Sequence, residues 1–224
     1  MEPTIPPAPK SDNVAPSNIY PEPVEHRQPL TNDHRDGLKS IFSTIGLLLL
    51  APILAIFITT FVFHSYEVYG ESMEPTMNNG DRLLVLKAPR TWASLRGNTY
   101  MPGRGEIIVF NKPDLSVDNE SGKQLIKRVI GLPGDRVMVS GGTIKIFNNE
   151  HPNGYSVDAD TDYGSTIPAT EGDINILVPQ GEVFVCGDNR LNSLDSRYFG
   201  TIRTKDIVGT AEFRMYPFGQ QRSF

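Results

Sequence analysis

The sequence predicts a single N-terminal transmembrane helix followed by an all-β domain of antiparallel sheets, folded as a partly open barrel or sandwich. Two observations carry that prediction. The stretch from Ile41 to Phe63, IFSTIGLLLLAPILAIFITTFVF, contains no charged residue. Behind it, short apolar segments alternate with Gly, Pro and Asn in the manner of strands and turns. No stretch of helical period and useful length competes with those segments.

Residues 1–40 form the first segment. They are rich in Pro (Pro3, Pro6, Pro7, Pro9, Pro16, Pro21, Pro23, Pro29), Asn, Ser and mixed charge. Without apolar periodicity they cannot bury enough surface to order themselves, and a disordered tail is expected. Glu2, Asp12, Glu22, Glu25, Asp33 and Asp36 interrupt it, unlike the Arg-rich, acid-poor pattern of an organelle transit peptide.

Residues 41–63 form the second. As a helix rising 1.5 Å per residue they reach roughly 35 Å, enough for a bilayer core of about 30 Å. The apolar region of a cleaved signal peptide is shorter and lies nearer the start. Pro52, near the middle, is tolerated in a membrane helix. Arg27, Arg35 and Lys39 precede the run, whereas His64, Glu67 and Glu71 follow it and the next basic residue is Arg82. The tail is therefore expected in the cytoplasm and residues 64–224 on the opposite side.

Within 64–224, strands are predicted at 82–87, 106–110, 124–130, 136–139, 143–147, 174–178, 182–186 and 207–213. The formal net charge of −5 gives no basic excess for nucleic acid. With one cysteine, Cys186, no internal disulfide is possible, and its setting in Val183-Phe184-Val185-Cys186 reads as a small buried hydrophobe.

The chemistry is narrowed by what is missing. A Ser-His-Asp site needs a histidine inside the domain, but His26 and His34 lie in the tail and His64 at the membrane boundary. His151 sits in the turn-like stretch Asn148 to Gly154. No Cys/His cluster has metal-ligand spacing, so neither a metal nor a cofactor is expected. Asp158, Asp160 and Asp162 alternate as in oxygen-rich calcium loops, yet Tyr163 and Ala169 stand where an EF-hand needs its Gly and its closing Glu. That stretch reads as a surface loop.

Three segments are denser in informative residues than turns require: Gly70-Glu71-Ser72-Met73-Glu74-Pro75-Thr76-Met77, Lys127-Arg128-Val129-Ile130-Gly131-Leu132-Pro133-Gly134-Asp135, and Gly187-Asp188-Asn189-Arg190-Leu191-Asn192-Ser193-Leu194-Asp195-Ser196-Arg197. Singly, each has a bland explanation as a turn hydroxyl, a solvent-facing lysine or a polar loop. Together, in this order behind a membrane span, and with Gly80-Asp81 and an apolar strand after the first, they resemble the bacterial type I signal peptidase family of Ser/Lys serine proteases.

The resemblance implies a membrane-bound endopeptidase in the bacterial plasma membrane that removes signal peptides from secreted preproteins after small residues, at Ala-x-Ala type sites. Its partners are then preproteins and the lipid bilayer. Ser72 is implied as the nucleophile and Lys127 as its general base. Ser193 is implied to orient the lysine ammonium, Asp195 and Arg197 to form a supporting ion pair, and Asp188 to belong to the same shell. Val68, Met73, Met77 and Ile126 are implied to line the pocket for the residue before the cut. Gly70 departs from the best-known Gram-negative pattern, which has a serine there, so the oxyanion hole is expected to rest on backbone N–H groups, chiefly that of Ser72.

Residue chemistry agrees with the choice of base. A serine hydroxyl attacks only when a base takes its proton, and a lysine does so only when neutral. A free lysine titrates near 10.4, whereas a useful base needs roughly 7–8, which desolvation can supply. Strand period alone does not separate Lys127, flanked on its face by Leu125 and Val129, from Arg128 between Ile126 and Ile130. Arginine stays charged and so is unsuited.

Overall fold

The computed structural model describes residues 33–113, 116–117, 120–121, 124–159 and 167–224, with side chains from residue 43 onward outside 114–123. The Pro-rich stretch up to residue 32 and most of the acidic stretch, from Asp160 to Gly164, lie outside the described residues. Helix α1 runs Asp33–Phe57 and continues as a π-helical turn through Val62. It therefore takes in residues 33–40, which the sequence assigned to the tail. Its portion Ser43–Val62 is long and apolar enough to cross a bilayer, with a mean hydropathy of 2.6, and none of its side chains is buried in the protein.

The unit from Leu49 to Phe224 carries the strands. In chain order these are β1 (Phe63–Glu67), β2 (Arg82–Leu86), helix α2 (Ala88–Leu95), β3 (Ile107–Asn111), β4 (Ser116–Val117), β5 (Glu120–Ser121), β6 (Gln124–Gly131), β7 (Arg136–Ser140), β8 (Thr143–Phe147), β9 (Tyr155–Ser156), β10 (Ile174–Leu177), β11 (Glu182–Cys186), helix α3 (Ser196–Phe199), β12 (Ile202–Arg203), β13 (Ile207–Tyr216) and β14 (Arg222–Ser223). All eight strands predicted from sequence are present. Helix α2 corrects the expectation that no helix competes: Pro89 near its start is pre-set for a first turn, and the helix is too short to show a period.

One large sheet has the order β1-β2-β13-β3-β6-β11-β12, with β14 added to β13, and a second has the order β10-β7-β8-β9. Every strand pair is antiparallel. The central strands are covered on both faces, which is why they read as unbroken apolar runs. In β3, Ile107 and Val109 join one cluster with Val68, Met73, Met77, Leu83 and Val85, while Ile108 and Phe110 join another with Val129, Val183 and Val185. In β7 and β8, by contrast, Val137, Val139, Ile144 and Ile146 are buried and alternate with exposed or half-buried residues. These inward residues meet Ile130, Phe184 and Cys186 in a third cluster.

Two buried carboxylates pin the turns between strands. Asp81 accepts from Arg214 Nη1 at 2.7 Å and from the Asn78 backbone N–H at 2.9 Å, so it ties the turn before β2 to β13. Asp135 accepts from the Leu132 N–H at 2.6 Å and pairs with Arg104 at 2.7 Å, closing the turn after β6. Gly134, at φ +88°, occupies the left-handed position which that turn requires. Asp81→Ala would leave the Arg214 guanidinium buried without its partner. It is expected to cost about 3–5 kcal/mol of stability in denaturant unfolding of the detergent-solubilised chain.

Candidate active site

The first informative segment follows β1 as a compact turn. The Val68 N–H donates to Asp81 O and the Gly80 N–H to Val68 O, both at 2.8 Å, which fixes its two ends. Met73 and Met77 are fully buried in the core cluster beneath it, one helical turn apart, with the Met77 N–H donating to Met73 O at 2.9 Å. Two buried methionine anchors hold the turn so that Ser72 is half-buried at its rim. Gly70 has φ +90° and donates its N–H to Asn79 Oδ1 at 2.9 Å.

Strand β6 brings up Lys127. Its Nζ lies 2.7 Å from Ser72 Oγ and 2.9 Å from the carbonyl oxygen of Ile126. Lys127 is 3% exposed. Burial pulls its pKa down to about 8, against the opposing pull of the Asp195 and Asp188 carboxylates. Cys186, fully buried, has its thiol pushed up by burial and stays neutral. With the Ile126 carbonyl accepting one amine hydrogen, the lone pair of a neutral Lys127 is free to take the Ser72 proton.

The third segment begins where β11 ends. Asp188 holds Arg128 bidentately, Nε to Oδ1 at 2.9 Å and Nη2 to Oδ2 at 2.6 Å, joining the second box to the third. Asp195 forms the expected pair with Arg197, at 2.8 and 2.9 Å, and accepts the Gly187 N–H at 3.0 Å. The Asn189 N–H reaches back to Ser72 O at 3.1 Å, and Asn189 Nδ2 to Glu71 O at 3.1 Å. Lys127 and Ser72 are thus held by one continuous network.

Comparison with known proteins shows the family. Residues 41–216 match the family described as signal peptidase, peptidase S26. The chain is 36% identical to signal peptidase I U of Bacillus subtilis over 82% of its own length and 93% of that protein's. It is 33% identical to signal peptidase I of Bacillus licheniformis, over 82% and 92%. It is also 39% identical to a probable signal peptidase I-2 of Synechocystis, over 75% and 69%. The chain belongs to the signal peptidase I family. It is accordingly a serine endopeptidase of that class.

A cleft of about 110 Å³ opens beside the Ser72–Lys127 contact. The segment from Tyr66 to Tyr69 lines one side and Gln124 to Lys127 the other, with Leu83 and Val109 in its lining as well. Strand β11 pairs only with residues 128–131 of β6, so Gln124 to Lys127 has no strand on that side among the described residues. Strand β1 ends the sheet. An extended chain lying in the cleft would find unpaired strand edges there.

Of the residues expected around the pocket, Val68 and Ile126 line the cleft. Met73 and Met77 do not, because both are consumed in anchoring the serine turn. Ser193 is a second correction. Its Oγ is buried without a hydrogen-bond partner among the described residues, and the lysine amine uses the Ile126 carbonyl instead. His64 and His151 are exposed, and His151 stacks on Tyr155 at 4.5 Å. No group of His, Cys, Asp and Glu able to hold a metal occurs among the described residues.

The sequence missed Tyr66, Leu83 and Val109, which come from three different strands and carry no motif. It also missed Arg190, which is fully buried. Arg190 donates Nη2 to Asp158 Oδ1 at 2.7 Å, Nη1 to Thr170 Oγ1 at 2.7 Å and Nε to Gly187 O at 3.0 Å. The glycine at 187 has a steric reason as well. A Cβ there would stand 2.2 Å from Ser193 Oγ and 2.3 Å from Ser72 O. Gly187→Ala is therefore expected to displace Ser72 and lower kcat by about 10²-fold, since a shift near 1 Å suffices for that. Asp158→Ala, which removes the carboxylate paired with Arg190, is expected to reduce kcat less than Gly187→Ala while lowering the thermal midpoint. Steady-state kinetics with thermal unfolding of both variants checks the ranking.

Proposed function

We propose that the protein is an integral membrane enzyme that removes N-terminal signal peptides from secreted preproteins, with Ser72 and Lys127 as its catalytic dyad. The observation that carries this reading is the 2.7 Å contact between Lys127 Nζ and Ser72 Oγ at a site whose burial favours the neutral amine. Ser72 Oγ attacks the carbonyl carbon of the scissile bond and its proton passes to Lys127. The tetrahedral intermediate collapses as Lys127 returns that proton to the leaving amine, forming the acyl-enzyme. Lys127 then takes a proton from water, whose oxygen attacks the ester. The second tetrahedral intermediate collapses by breaking the bond to Ser72 Oγ, Lys127 returns the proton to that oxygen, and the signal peptide leaves with a new C-terminal carboxyl group.

The substrate lies as an added strand along residues 67–70 and 124–126, and the narrow cleft beside Val68 and Ile126 selects small side chains. The Ser72 N–H faces the developing oxyanion, with no side-chain donor from Gly70. Asp188, Asp195 and Arg197 position the loop that carries Gly187 and Asn189. The apolar helix of Ser43–Val62 crosses the bacterial plasma membrane with the tail in the cytoplasm. It confines the enzyme to the surface that holds its substrates and so raises their effective concentration.

Cleavage of a preprotein with an Ala-x-Ala site, by the full chain in detergent or vesicles, tests the reading. Ser72→Ala and Lys127→Met are each expected to lower kcat by a factor on the order of 10³ or more. Binding of the preprotein without cleavage by the wild type would point instead to an anchored peptide-binding domain.

The pH dependence follows from the lysine. Because the neutral form is the base, kcat/KM is expected to rise with pH and level off above about 8. The stability effect has the same sign. A folded-state value of about 8 against 10.5 in the unfolded chain means that the unfolded chain binds the extra proton, so stability rises with pH between those values. Below about pH 8 the buried lysine costs about 3 kcal/mol. Lys127→Met is therefore expected to abolish cleavage while raising the thermal midpoint at pH 7.

A further inference from the structure

Helix α2 begins where the apolar helical segment ends: the Lys87 N–H donates to Val62 O at 2.8 Å, directly before Ala88. The exposed side chains around it are of two kinds. Trp92 is 60% exposed and Leu95 76%, and Phe61 beside them is 48% exposed. Lys87, Arg90 and Arg96 carry positive charge, and residues 87–96 contain no acid. The Arg96 guanidinium lies 5.5 Å from the Trp92 ring centroid.

Two cavities meet at this helix. One, of about 150 Å³, is lined by Arg90 and Lys205 together with the polar side chains of Ser94, Thr99, Tyr100 and Thr204. The other, of about 320 Å³, is lined by Phe61, Thr91 and Leu95, and shares Arg90 and Ser94 with the first. Neither Arg90 nor Lys205 forms an ion pair among the described residues. Three carboxylates lie near: Glu106 accepts from Tyr100 and, like Glu212, acts on that phenol electrostatically, while Asp206 pairs with Arg203. None of them lines either cavity.

We propose that these joined cavities bind one anionic glycerophospholipid. Its phosphodiester headgroup lies between Arg90 and Lys205 among the hydroxyls, and an acyl chain runs past Phe61 and Leu95. The chemistry fits both ends. Two cations without an ion-pair partner among the described residues, beside the Ser94 and Thr99 hydroxyls, match a phosphodiester oxyanion, and the adjoining apolar wall matches hydrocarbon. The Tyr100 and Thr204 hydroxyls are spent on Glu106 and the Gly181 carbonyl. A Trp beside a basic helix face is the composition of a membrane–water boundary. This inference rests on the membrane anchoring proposed above. It adds a chemically selective lipid contact made by the domain, separate from the span.

Trp92 is the only tryptophan of the chain, so its fluorescence reports this site without labelling. It shares a helix face with Leu95, three positions on. The full chain would be reconstituted into phosphatidylcholine vesicles containing matched fractions of either phosphatidylglycerol or phosphatidylcholine brominated on the acyl chains. The expected result is stronger quenching of Trp92 by the brominated phosphatidylglycerol. Arg90→Ala and Lys205→Ala are each expected to weaken that preference roughly fivefold, the effect of one basic residue near an anionic surface, while peptide cleavage in detergent is unchanged.

Equal quenching by the two brominated lipids, or none in protein that floats with the vesicles, overturns the lipid site alone. Displacement by soluble glycerol phosphate or inorganic phosphate overturns the lipid commitment in favour of a free anion. Failure of the chain to float with vesicles at all overturns the membrane reading together with this one.

Discussion

A lysine taken out of water beside a serine is the constraint that orders the rest of this domain. Two carboxylates, Asp195 and Asp188, stand close enough to raise the lysine's affinity for its proton. Each is committed to an arginine, Asp188 to Arg128 and Asp195 to Arg197, with side chains nearly inaccessible to solvent. An arginine does not give up its charge under physiological conditions, so each pair presents the lysine with a near-neutral neighbour. The box residues that look catalytic by their charge thus act chiefly by cancelling one another, which leaves desolvation to dominate at Lys127.

The same network explains why three distant stretches of sequence form one site. The first box supplies Ser72 on a turn seated over two methionines. The second supplies Lys127 on a strand that loses its neighbour at Arg128. The third touches both, through Asp188 to Arg128 and through the Asn189 N–H to Ser72 O. Gly187 lets that third segment approach closely, and Arg190 fixes it from behind against Asp158 and Thr170.

Much of the fold was legible in the sequence. Strands such as β3 and β11 are buried on both faces and spell unbroken apolar runs, while β7 and β8 alternate because one face meets solvent. Strand β1 was hidden, since Phe63 closes the apolar run, His64 to Glu67 is mostly polar, and the strand is largely exposed. Helix α2 was too short to show a period. Within the site, chemistry distinguishes Lys127 from Arg128, but nothing local distinguishes a methionine that lines a pocket from one that anchors a turn. Met73 and Met77 were misplaced for that reason. Leu83 and Val109 reach the cleft through pairings far apart in the chain, and the unpartnered Ser193 Oγ is a matter of atomic distances.

Gly70 combines an absent side chain with a backbone that resists gaining one. A Cβ built there meets no atom within 4 Å, yet φ is +90°, where other residues are strained. The vacancy two residues before the nucleophile is thus fixed by the backbone and is not readily filled by substitution. For a covalent inhibitor of Ser72, the nucleophile proposed above, it is a selectivity handle: a small branch directed at that space meets no side chain at position 70.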